Sequence, residues 1–95
     1  MSKKELYRQK LQSQIDEWEA EYDKFQAKAE NQSADLRLKY EGYLSELRDQ
    51  RQKAKSKMHE FNQASEDAWE DLKEGADNVF NEVKSSFDSI SKHFK

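Results

Sequence analysis

The side chains that could do chemistry in this sequence are few, and they stand apart. His59 sits beside Glu60, the one adjacent histidine–carboxylate pair. A metal site on a helix wants ligands three or four residues apart, and at those distances His59 finds only Lys55, Ser56, Asn62 and Gln63. His93 has Ser89 and Ile90 one turn back, so both histidines read as surface residues. Asp67, Asp71, Glu74 and Asp77 could suggest binding of a hard cation. They lack the glycine-containing loop that bends oxygens around calcium, and read as a solvated face or as partners for basic side chains. Gly42 and Gly75 are too far apart for a phosphate loop, and no nucleophile stands with a base. Asn31-Gln32-Ser33 matches a glycosylation sequon, which without a leader segment reads as chance. These residues imply no enzyme, no metal and no cofactor.

What the sequence does hold is periodicity. Between Ser65 and Phe94 the large apolar residues recur every eleven positions: Leu72, Val83 and Phe94, then Ala76 and Phe87, Val79 and Ile90, Trp69 and Phe80. Eleven residues are almost three whole turns, so these side chains line one nearly straight stripe on a helix. The opposite face is Glu, Asp, Asn, Lys and Ser, and the stripe must be covered by protein or by lipid.

The totals narrow the class. The 95 residues allow one domain at most; 34% are hydrophobic, 39% charged, and the net charge is −3. Such polarity is a signature of disorder, but aromatics make up 12% of the chain and fall at helical spacing. With no proline and two glycines, little in the chain breaks a helix. There is no cysteine, hence no disulfide, and no apolar run is long enough to span a membrane. The basic start, MSKKELYRQK, has no apolar segment behind it and does not read as a signal peptide, so the expected location is cytoplasmic.

From Lys4 to Leu36 the spacing is that of a heptad. Leu11, Trp18 and Phe25 take one core position; Ile15, Tyr22, Ala29 and Leu36 take the other. Aromatics this large fit a two-stranded coiled coil poorly and suit a thicker bundle. Asn31-Gln32-Ser33 could form a turn with Ser33 capping a new helix. No apolar position is skipped there, however, and the expectation is continuity, with only a stutter at Leu36, Tyr40 and Leu44. Leu44, Leu47, Ala54, Met58 and Phe61 carry the stripe on, with Arg51 in its one polar slot.

A turn is expected at Asn62–Ser65, where Ser65 precedes Glu66 and Asp67 as a helix cap precedes acidic residues. The sequence thus predicts a helix over about 3–61 and a second over about 66–93, folded back as a hairpin in a single helical domain. Charge supports the fold. Arg48, Arg51, Lys53, Lys55 and Lys57 would lie beside Glu66, Asp67, Glu70, Asp71, Glu74 and Asp77. The same register brings Met58 near Trp69, Leu47 near Phe80, Leu44 near Val83, Tyr40 near Phe87 and Leu36 near Ile90, with Leu72 on the same packed face. The basic block has no interleaved aromatic on which bases could stack, so nucleic acid is not expected.

A long first helix would extend about 90 Å. The second helix would then leave Leu11, Ile15, Trp18, Tyr22 and Phe25 bare, and self-association through them is expected. An antiparallel homodimer, or a dimer of dimers, would set the acidic Asp16–Asp23 stretch of one copy beside Arg48–Lys57 of the other. The architecture expected is therefore all-α, an elongated helical hairpin or coiled coil in an antiparallel oligomeric bundle.

Tyr7-Arg8-Gln9-Lys10-Leu11, Ile15-Asp16-Glu17-Trp18 and above all Ala64-Ser65-Glu66-Asp67-Ala68-Trp69-Glu70-Asp71-Leu72-Lys73-Glu74-Gly75 resemble a family of small bacterial coiled-coil proteins. These are known as coiled-coil domain-containing or stress-response proteins. Where that family often has glycine, this chain has Glu66. The resemblance implies a helical, bacterial, cytosolic protein and carries over no catalytic residue. The function expected is structural or interactive, possessing no catalysis, with a stress-related role by resemblance and another protein as a further partner. The alternative is a peripheral helix protein whose Val79–Phe94 stripe lies on a membrane surface. Eight acidic against four basic side chains over residues 66–95 oppose anionic lipid.

Overall fold

A computed structural model describes residues 2–94. Three helices follow one another: α1 (Lys3–Glu30), α2 (Ala34–Asn62) and α3 (Trp69–Ser91), closed by a single 3₁₀ turn at Lys92–Phe94. The all-α expectation holds. Helices α1 and α2 run antiparallel, as do α2 and α3, so α1 and α3 lie parallel. The contacts fix this order: Tyr7 meets Phe61 and Trp69 at one end, and Phe25 and Tyr40 meet Phe94 at the other.

The predicted continuous helix over 3–61 is broken at residues 31–33, and this is the main correction. The last amides of α1 turn inward in i to i+3 bonds, Asn31 N–H to the Lys28 carbonyl and Gln32 N–H to that of Ala29. Ser33 is then extended (φ −63°, ψ 161°), and its carbonyl accepts the Arg37 amide that begins α2. Asn and Ser are weaker helix formers than the residues around them, so the interruption is locally inexpensive. Its reward is large. Leu11, Ile15, Trp18, Tyr22 and Phe25, expected as a bare strip between copies, are all buried within this one chain, at 1–6% exposure. The molecule accordingly measures 52 × 20 × 19 Å and is no 90 Å rod. It is still elongated: its radius of gyration is 15.5 Å, against about 12 Å for a compact chain of this length.

The second turn falls where the sequence places it, with α3 starting three residues later than expected. Ser65 does not cap α3, whose cap position is Ala68 with no side-chain bond; its hydroxyl accepts the Ala68 amide at 3.2 Å and holds the turn that precedes the helix. The longer connection shifts the hairpin register. Trp69 packs against Phe61, and Tyr40 packs against Phe94 and not Phe87, a slip of one turn near the connection and two at the far end.

The core is one continuous cluster from Tyr7 to Phe94, and among the described residues no charged side chain is buried. Small side chains, Ala54 and Ala76, are fully buried and let helices approach. Rings fill the seam between the parallel pair. Trp18 lies against Phe80 (centroids 5.4 Å apart) and Phe87 (5.8 Å), and Phe25 stacks on Phe94 at 4.6 Å. Such offset and tilted pairs add to the area they bury.

Candidate interaction surfaces

The expected charge register between residues 48–57 and 66–77 is not made. Among the described residues no ion pair joins Arg48, Arg51, Lys53, Lys55 or Lys57 to Glu66, Asp67, Glu70, Asp71, Glu74 or Asp77. Lys57 pairs with Glu60 on its own helix, and Arg48 with Glu41 at 3.9 Å. The basic stretch turns to α1 instead. Lys55 pairs with Glu19 at 2.5 Å, and the Arg51 guanidinium lies 4.6 Å from the centre of the Tyr22 ring. That contact explains a charged residue in an otherwise apolar series. One pair of the acid-to-base apposition expected between two antiparallel copies, Glu19 with Lys55, is thus made inside one chain.

Asp77 has a different partner. The Tyr7 hydroxyl donates to its carboxylate and approaches the Lys73 carbonyl at 3.2 Å, fastening α1 to α3 beside the second turn. Lys4 Nζ donates to the Ala64 carbonyl at 2.6 Å and ties the same end. Burial, and then the bond to Asp77, push the Tyr7 phenol well above its ordinary value of 10.0. An acid held protonated by the fold stabilises it below the unfolded-state value and loses that contribution as pH rises. Stability should therefore fall as pH climbs above about 10, and Tyr7→Phe should lessen that fall in denaturant titrations across the range. An equal alkaline slope in both proteins would show that Tyr7 is not the group responsible.

The other end is closed by aromatic packing. Phe94 lies between Phe25 and Tyr40, its carbonyl accepts from Lys28 Nζ at 3.1 Å, and His93 stacks on Tyr43 at 4.4 Å. Beyond this closure the end of the α1–α2 hairpin projects: every residue from 30 to 39 is exposed. Leu36, expected against Ile90, is 40% exposed because α3 ends short of it, while Leu38 faces outward at 75%. Leu44, Leu47, Met58, Phe80, Val83, Phe87 and Ile90 are buried as expected of packing positions, and Tyr40 and Leu72 are partly buried.

Parallel α1 and α3 bring like charges together at Glu21, whose carboxyl is pushed up by burial, by Asp88 and by Glu17. A shallow polar groove runs between α2 and α3, lined by Gln50, Lys53, Asn78, Glu82 and Ser85. His59 lies at the α1–α2 edge near Gln12 and Lys55, apart from His93. Among the described residues no three His, Cys, Asp or Glu side chains gather as metal ligands would. No described helix is long and apolar enough to cross a membrane. No family model, curated protein or solved structure matches this chain.

Proposed function

We propose that this protein is a non-enzymatic helical module whose role is structural, meeting other proteins through the surface of its bundle. The observation that carries this reading is the fate of the apolar stripes. Phe80, Val83, Phe87, Ile90 and Phe94, which a lipid surface would have to receive, are covered by α1 and α2 to 7% exposure or less. Amphipathic helices whose stripes close on one another in this way have no apolar face left for lipid. Among the described residues, the large apolar side chains still exposed on the surface are Leu6 and the leucines at the projecting hairpin end. A stress-related role in a bacterial cytoplasm is the part of the proposal that rests on the sequence resemblance.

Lipid binding is the competing reading, and it requires α3 to leave the bundle. Vesicle flotation joined to thermal melts separates the two. The protein should stay unbound to neutral and to anionic vesicles, and its cooperative melt should keep its midpoint. Co-flotation with loss of the cooperative transition would replace the structural reading with the lipid one.

A further inference from the structure

The turn between α1 and α2 is the least secured connection in the fold. The segment Gln63–Ala68 is held by the Ser65 hydroxyl on the Ala68 amide and by Lys4 on the Ala64 carbonyl. Among the described residues, Asn31, Gln32 and Ser33 make no side-chain hydrogen bond, and Ser33 stands at the cap position without its hydroxyl capping anything. Nor does the turn use a conformation foreign to helix-forming residues. It has no Gly or Pro, and no described residue has a positive φ. Asn31 is already near φ −89°, ψ 5°, and Ser33 has φ −63° with ψ 161°, so joining α1 to α2 includes rotation about ψ of Ser33 into the helical range. The inward apolar series passes straight through: Tyr22, Ala29, Leu36, Tyr40, Leu44 keep helical spacing across the turn. One member of that series, Leu36, is left bare.

We propose that two copies of this chain exchange α1 by straightening at Asn31–Ser33, each α1 docking on the α2 and α3 of the other copy. The contacts of α1 make the second copy the fitting occupant. Glu19 and Lys55 lie symmetrically in sequence about Arg37, and Tyr22 and Arg51 about the Leu36–Arg37 bond. Keeping those contacts between chains sets the two-fold axis beside Leu36, where the two bare Leu36 side chains meet. Each half of the dimer is then the bundle already described, with its rings and ion pairs unchanged. Only the turn and the surroundings of Leu36 differ. Exchange of an identical element is an accessible route to a dimer, and short connecting turns favour it.

Spin labels on a Glu19→Cys, Lys55→Cys variant test this directly, since the chain has no cysteine of its own. The labelled protein is refolded with a tenfold excess of unlabelled protein, and the dimer is isolated by size. On one straight helix the two labels are about 54 Å apart, whereas within a closed monomer they are adjacent. The diluted dimer should show the long separation and lose the short one, while the monomer fraction keeps the short one. Asn31→Ala with Ser33→Ala, which favours helix through the turn, should strengthen association about tenfold or more. Four glycines inserted after Gln32 should weaken it by a similar factor. A dimer that retains the short separation on dilution overturns the proposal. So does a strictly monomeric protein at about millimolar concentration in both the parent and the Asn31→Ala, Ser33→Ala variant. Neither result bears on lipid binding, which the vesicle experiment reads separately.

Discussion

Trp18→Ala should cost about 3–5 kcal/mol of folding stability and lower the melting midpoint by more than about 12 °C. The indole is 5% exposed and sits between Phe80 and Phe87, bridging the parallel α1–α3 seam. That seam is filled by rings reaching across it, so truncation removes both the transfer free energy of the ring and its contacts, and neighbouring helices collapse only in part. Against a total of about 5–15 kcal/mol for a domain, the loss is a large share. Trp18→Phe should recover much of it by keeping a ring against Phe87. The concentration dependence is as telling as the size. Because Trp18 is buried inside one chain, urea melts at low micromolar protein and at a tenfold dilution should show the same destabilisation. A penalty that vanishes on dilution would place the indole in an interface between copies.

That distinction marks what local pattern does and does not encode. Helical spacing of Leu11, Ile15, Trp18, Tyr22 and Phe25 specifies that one face of α1 is covered, and the structure covers it. Spacing is silent about whether the cover belongs to the same chain. The deciding feature is the turn at 31–33, and nothing there departs from helix-compatible residues: no glycine, no proline, and Ala29 to Leu36 still one heptad apart. Two signals in the sequence fit in-chain closure as well as they fit the pairing of copies. Core positions filled by Trp18, Tyr22 and Phe25 fit two strands poorly and suit a thicker bundle, which three helices of one chain provide. The acidic run of α1 matches the basic run of α2 in antiparallel order, as Glu19–Lys55 shows. At the second turn the local chemistry marks the break, because the Ser65 hydroxyl holds the turn through the Ala68 amide although it does not cap α3, whereas the Ser33 hydroxyl makes no such bond. The acidic residues after Ser65 were a poor guide to register, however. Exposed pairs contribute little, and aromatic packing at Phe61–Trp69 and Tyr40–Phe94 determines the alignment instead.

The second large effect lies where tolerance would ordinarily be assumed. Side chains in the last few residues of a domain are usually dispensable, yet Phe94 is 6% exposed. Its ring stacks on Phe25 at 4.6 Å and Tyr40 at 4.7 Å, with Tyr43 at its edge. The 3₁₀ turn at Lys92–Phe94 exists to aim it: tightening the backbone after Ser91 points the ring between α1 and α2, and Lys28 holds the Phe94 carbonyl there. Phe94→Ala should therefore cost about 3 kcal/mol or more, well above what an exposed terminal residue would. The loss should also be local in character. With the ring gone, Phe25 and Tyr40 join Leu36 as bare apolar surface, and amide exchange should accelerate first in the last turns of α3 and the first turns of α2. Protection near Trp69 should fall only with global stability, since Tyr7 and Lys4 hold that end independently. A variant that melts within about 1 kcal/mol of the parent, with unchanged exchange at Ser89–Ser91, would mean that Phe94 does not close the bundle.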